Sequence, residues 1–191
     1  MAKSQSKRAP SPAALTLETL SASVQATQLF GERIGRALRP GDVVALYGEL
    51  GTGKTTFVQG IARGQGRDQA SVKSPTFVLV REYPGGTILV HVDGYRLDGP
   101  PAAAWLDLDL IFSPRRITMV EWAERFEGLL PERRLAVHLE HVSANRRRLR
   151  IEALGAWPEE QMAELRTALE PPEAAEEKPE ESETEHADSG D

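Results

Sequence analysis

Eight consecutive residues, Gly48-Glu49-Leu50-Gly51-Thr52-Gly53-Lys54-Thr55, carry the most specific chemistry in the chain. Their spacing fits G-x-x-x-x-G-K-[ST], a loop suited to the phosphates of a nucleoside triphosphate. Glycine at 48, 51 and 53 lets the backbone take positive φ and approach a ligand closely. The amides of Glu49, Leu50, Gly51, Thr52, Gly53 and Thr56 are then expected to form an anion nest at the start of a helix. Lys54 supplies a point charge for the outer phosphates, and the Thr55 hydroxyl is placed to bind magnesium.

A magnesium shell at such a loop needs an acid at the end of a neighbouring strand. Two acids meet that description: Asp93, after Ile88-Leu89-Val90-His91-Val92, and Glu121, after Ile117-Thr118-Met119-Val120. One would hold the metal, directly or through water, and the other would orient the attacking water as a base. The sequence leaves these roles interchangeable, and each acid alone also fits a solvated strand end. In Ser74-Pro75-Thr76 the proline stiffens the segment, and the Thr76 hydroxyl can reach magnesium or the γ-phosphate as switch loops do, or simply start a strand. His91 reads as a strand residue and Trp122 as packing. Arg96 is open between a phosphate or partner contact and a structural ion pair. Arg146-Arg147-Arg148 and Arg150 form a small basic cluster, open between an exposed turn and a contact with RNA or with the nucleotide; the turn is favoured over RNA because no aromatic residues are interleaved for stacking. Asn145 is the only asparagine, so there is no guanine-reading N-K-x-D, and ATP is expected in preference to GTP.

These residues need elements to position them. Val43 to Tyr47 is an apolar run that reads as a buried strand feeding the loop, and Thr56 to Ala62 continues as an amphipathic helix. A helix from Ser21 or Ser23 to Leu38 is expected to bury Val24, Leu29, Ile34 and Leu38. Phe77 to Tyr83 and Thr87 to Asp93, joined by Pro84-Gly85-Gly86, read as an antiparallel hairpin. A short helical piece is expected around Ala102 to Leu110 and a buried strand from Arg116 to Trp122. Leu135 to Val142 and Arg148 to Ala153 read as two more antiparallel strands. Pro158 opens a last helix to Leu169. The expected fold is α/β, a P-loop NTPase with a mixed parallel and antiparallel central sheet flanked by helices.

The chain has 191 residues and a net charge of −6. Pro171 to Asp191 contains nine acids and one lysine, a net −8, which leaves +2 for the rest. We expect a loose leader over residues 1–14, one domain over 15–170 and a disordered acidic tail over 171–191. The absence of cysteine excludes disulfides, thiolate zinc sites and cysteine nucleophiles. No apolar run is long enough to span a bilayer and no secretory signal is visible, so a cytoplasmic protein without a membrane partner is expected.

The loop with its following Thr56-Phe57, then Ser74-Pro75-Thr76-Phe77, then His91-Val92-Asp93-Gly94-Tyr95-Arg96-Leu97, then Val120-Glu121-Trp122, together resemble the TsaE (YjeE) family from about Leu17 to Ala153. These are bacterial ATPases of tRNA threonylcarbamoyladenosine synthesis. The resemblance implies ATP hydrolysis with Mg2+, coupled to a TsaD–TsaB complex that modifies adenosine 37 of tRNA, so that tRNA is met through that complex. It also implies phosphate and magnesium roles for Lys54 and Thr55, a switch-like loop at Thr76, Asp93 as the acid of the H-x-D-x-Y-R motif, and Glu121 near magnesium. Ser23 and Asn145–Arg146 would border the nucleotide. Ala123 stands where family members often have proline. A small P-loop kinase and a nucleotide-sensing adaptor with little turnover are the alternatives.

Overall fold

The computed structural model describes residues 15–170; the expected leader and acidic tail lie outside them. One seven-stranded sheet runs in the order β1-β7-β6-β2-β5-β4-β3. Its strands are β1 (Leu15–Ser21), β2 (Val43–Tyr47), β3 (Val80–Tyr83), β4 (Ile88–Asp93), β5 (Arg116–Glu121), β6 (Arg134–His141) and β7 (Arg147–Leu154). Strands β6, β2, β5 and β4 are parallel to one another. β3 pairs antiparallel on one side, and β7 and β1 do so on the other. The sheet is therefore mixed, as the Pro84-Gly85-Gly86 hairpin requires. Among the described residues no helix is long and apolar enough to cross a membrane.

The central strands are buried on both faces. On one face, Val44 and Leu46 of β2, Leu89 of β4 and Ile117 and Met119 of β5 pack with Phe57, Val58 and Ile61 of α2 (Lys54–Gly64) and Ile34 of α1 (Val24–Ala37). On the other, Ala45, Val90, Val92 and Val120 meet Ala103 of α3 (Pro100–Ala103), Ile111 of α4 (Leu108–Ile111) and Phe126. Alternation along β4 puts His91 and Asp93 on the α2 face with Leu89, and the same alternation puts Glu121 there on β5. The topology thus brings both strand-end acids to the face covered by the helix that follows the phosphate loop.

Several local expectations change. Leu15–Ser21 is an edge strand whose alternation of leucine with polar residues went unread. The turn Thr76 to Leu79 replaces the start of the expected Phe77 strand, because Val78 and Leu79 both donate their amides to the Pro75 carbonyl. The helical piece at Ala102 to Leu110 is two short helices. Asp107 interrupts it by capping α4, its carboxylate accepting from the Leu110 amide at 3.0 Å. Pro158 is the residue before α5 (Glu159–Leu169) and not its first turn.

Helix α1 is capped by Ser23, whose Oγ accepts from the Ala26 amide at 3.0 Å. Ile34 and Leu38 are buried as expected, but Val24 and Leu29 are exposed, and Thr27, Phe30, Gly31 and Gly35 complete the buried face. The reason is close backbone contact between α1 and α2. A Cβ added to Gly60 would lie 2.1 Å from the Gln28 carbonyl oxygen, and one added to Gly31 would lie 2.3 Å from that of Phe57. Glycines spaced four apart on both helices make this approach possible, so apolar bulk on α1 is displaced from the seam. Gly60→Ala is expected to destabilise the fold by about 1–3 kcal/mol through overpacking, read by denaturant unfolding.

Helix α5 docks on α1. Arg33 donates to the carbonyls of Glu170 (2.6 Å) and Thr167 (2.9 Å), and the buried Gln161 donates to the Ala37 carbonyl (3.1 Å) and to Asp42. Asp42 directly precedes β2, so these bonds fix the start of the strand that delivers the phosphate loop. Burial pushes the Asp42 carboxyl above its usual range, only partly offset by the Arg39 amide, Gln161 and Arg133.

Candidate nucleotide and metal site

The loop leaves β2 at its C-terminal end, where open α/β sheets place ligands. Gly48, Gly51 and Gly53 take φ of 137°, 77° and 102°. A side chain at 48 would also meet the Leu139 carbonyl oxygen at 2.3 Å, so the loop lies directly on β6. Gly53 is the residue before α2 and offers no side-chain cap. The first amides of this 11-residue helix are thus left for a ligand. Thr52 Oγ1 donates to the Glu49 carbonyl (2.9 Å) and holds the loop's shape.

Beside the loop is a cavity of about 470 Å³, walled by Ser23, Gly51, Thr52, Gly53, Asn145 and Arg147 with neighbouring residues. Ser23 is therefore at the loop, although its hydroxyl oxygen also caps α1. The basic side chain turned onto the loop is Arg147. Its Nε donates to the Thr52 carbonyl (3.1 Å), and its Nη1 donates to the carbonyls of Ser143 (3.2 Å) and Ala144 (3.1 Å). Arg146 is exposed and is not among the residues lining the cavity. β7 begins at Arg147, and that strand start sets which arginine faces the loop.

Lys54 is buried and folded back on its own loop. Its Nζ donates to the carbonyls of Gly48 (2.5 Å) and Glu49 (2.9 Å) and lies 4.0 Å from the centre of the Trp122 ring. Trp122 reaches this place because it adopts φ 56° immediately after β5. Tyr95 in turn packs against Trp122 with ring centres 5.1 Å apart. Burial lowers the Lys54 pKa from 10.5, with Glu121 opposing. The protonated ammonium is the form that attracts phosphate. Nucleotide affinity is therefore expected to fall as pH rises through the folded-state value, which lies below 10.5. Lys54→Met should lack that alkaline limb, and equilibrium nucleotide titration across pH reads it.

The two acids have different company. Glu121, on the strand beside β2, accepts from Thr55 Oγ1 through both oxygens, at 2.8 Å and 3.0 Å. His91 Nε2 lies 2.8 Å from Glu121 Oε1. Asp93 is the register partner of Glu121 on the next strand, yet its carboxylate serves a different segment. Its Oδ2 accepts from Ser74 Oγ and from Thr76 Oγ1 (2.6 Å), and its Oδ1 accepts from the Tyr95 amide (2.9 Å). The segment pinned in this way ends in Leu79, at φ 64°. Among the described residues Arg96 makes no ion pair with a carboxylate; its guanidinium lies 4.4 Å from the centre of the exposed Phe77 ring.

Thr55 and Glu121 together offer hard oxygen donors next to a phosphate nest, which fits magnesium. Among the described residues no three His, Cys, Asp or Glu groups gather as a metal cage. Magnesium at nucleotide sites needs none, since it is held through one or two carboxylates plus phosphate oxygens and water. Sequence reasoning missed the contact of His91, and it named Ser74 and Arg147 only within the Ser74-Pro75-Thr76 segment and the basic cluster, with no contact of their own. The period of two along β4 was a usable signal for His91, because it sets the imidazole on the same face as Asp93.

Comparison with known proteins follows the same line. The family model described as Threonylcarbamoyl adenosine biosynthesis protein TsaE matches residues 21–149. The chain is 39% identical over 118 residues to the tRNA threonylcarbamoyladenosine biosynthesis protein TsaE of Bacillus subtilis, covering 61% of this chain and 73% of that one. It is 44% identical over 116 residues to the protein of the same description from Streptomyces coelicolor, covering 59% and 77%. A crystal structure of Bacillus subtilis YdiB superposes with a TM-score of 0.66 at 30% identity, over 80% of this chain and 95% of that one.

Proposed function

We propose that this chain, which belongs to the TsaE family, is a magnesium-dependent ATPase that supports a TsaD–TsaB complex in forming the threonylcarbamoyl group on adenosine 37 of tRNA. It works in the cytoplasm and meets tRNA through that complex. The observation that carries the reading is the Thr55–Glu121 contact, which joins the hydroxyl of a phosphate loop to the acid ending the adjacent parallel strand.

In this reading the loop amides and the start of α2 bind the phosphates of ATP. Lys54 exchanges its contacts with the Gly48 and Glu49 carbonyls for the outer phosphates and stabilises charge that develops there. Thr55 and Glu121 hold the magnesium ion, which when bound neutralises phosphate charge. Asp93 acts as a positioning residue: it holds the hydroxyls of Ser74 and Thr76, and so sets where Thr76 meets the γ-phosphate. Ser23, Asn145 and Arg147 border the rest of the nucleotide.

Product analysis tests the reading. Incubation with ATP and Mg2+ is expected to yield ADP and inorganic phosphate in equal amounts. Transfer of the γ-phosphoryl group to another acceptor would replace the reading with a kinase. Binding without phosphate release, alone or with the complex, would replace it with a nucleotide-sensing adaptor.

A further inference from the structure

His91 has no assigned role, and its surroundings argue for one. It is fully buried on the α2 face of β4, where its neighbours in the face are Leu89 and, by register, Met119. An apolar side chain would suit that position. The imidazole instead brings two polar atoms into the core, and among the described residues Nδ1 has no hydrogen-bond partner. A buried unpaired polar atom carries a local cost in stability. The imidazole's polar contact is Nε2 with Glu121 Oε1, at 2.8 Å. Glu121 is the register partner of Asp93, two residues further along, so the imidazole reaches diagonally across the β4–β5 pair.

The contact restricts the carboxylate. Glu121 Oε1 is shared between the His91 Nε2–H and the Thr55 hydroxyl, while among the described residues Oε2 meets Thr55 alone. With one oxygen tied to a group fixed in the sheet, the carboxylate plane cannot turn freely, either toward Lys54 or away from Thr55. Both oxygens also meet Thr55 Oγ1, so the restraint keeps the carboxylate beside the hydroxyl of the phosphate loop. Partners that orient a ligating carboxylate in this way commonly change metal affinity when removed.

We propose that His91 is a positioning residue that fixes the Glu121 carboxylate for magnesium, so that the tightening of nucleotide binding by Mg2+ depends on the imidazole as well as on the acid. This rests on the reading of Thr55 and Glu121 as the magnesium site.

The test measures affinity for a fluorescent ATP analogue by equilibrium titration, once with Mg2+ and once with EDTA. The ratio of the two is the magnesium-linked tightening. His91→Leu is expected to lower that ratio by about 10- to 100-fold while leaving the EDTA affinity in place. His91→Gln, whose amide can donate to Glu121, is expected to restore most of the ratio. In a Glu121→Gln background, His91→Leu is expected to add nothing further. His91→Met supplies a second apolar replacement if the leucine variant unfolds. A wild-type ratio in the folded apolar variants overturns the proposal, as does a glutamine variant as impaired as leucine. If Glu121→Gln itself leaves the ratio unchanged, the magnesium reading fails and the proposal falls with it, an outcome distinct from failure at His91 alone.

Discussion

Lys54→Ala is expected to lower ATP turnover by about 10²- to 10³-fold with the fold retained, the scale seen when one preorganised donor to developing charge is lost. The ammonium is held by two loop carbonyls and the Trp122 ring, so it is already at the site before phosphate arrives. Alanine removes that charge and leaves the amide nest intact. Nucleotide binding should therefore weaken less than turnover. Phosphate release at saturating ATP, with thermal unfolding as a control for folding, measures both sides. Wild-type turnover in a folded Lys54→Ala protein would remove the loop from the chemistry.

Glu121→Ala is expected to have an effect of similar size on magnesium-dependent turnover and a larger effect on stability. It strips the Thr55 hydroxyl of its carboxylate and leaves both nitrogens of the buried His91 unpaired. An orphaned buried donor costs about 1–3 kcal/mol. Glu121→Gln separates the two contributions, since it removes the charge and keeps the volume. Turnover against Mg2+ concentration, with denaturant unfolding of both variants, reads them. Asp93 should behave differently. Its carboxylate is occupied by Ser74, Thr76 and the Tyr95 amide, so Asp93→Ala is expected to release the Ser74–Thr76 segment while keeping most magnesium-linked tightening.

Much of this was legible in the residues, for identifiable physical reasons. The phosphate loop is local: its glycines, its lysine and its hydroxyl act within eight consecutive positions, so spacing alone announces it. β2, β4 and β5 read clearly because strands buried on both faces need unbroken apolar runs. The mixed sheet followed from one short glycine-bearing turn. What escaped reading was non-local. Leu15–Ser21 becomes a strand by pairing with β7, 126 or more positions further along the chain. The α1–α2 seam is made by glycines, which carry no apolar signal, so a search for hydrophobic periodicity selected Val24 and Leu29 instead. The different hydrogen-bond partners of Asp93 and Glu121 could not be read from two similar strand ends. They depend on which strand lies beside β2 and on the Ser74–Thr76 segment folding back to one acid. Arg147 in place of Arg146 at the cavity is a matter of where β7 begins.

The most direct measurement is ATP hydrolysis by the purified protein, alone and with TsaD, TsaB and tRNA. Slow turnover alone is expected, because among the described residues Arg96 and Arg147 are engaged elsewhere: Arg96 lies on the Phe77 ring, and Arg147 is tied to loop carbonyls. Turnover should rise when the complex is added, and repeated rounds of tRNA modification should require this protein. Equal hydrolysis with and without the complex, or repeated modification in its absence, would contradict the account.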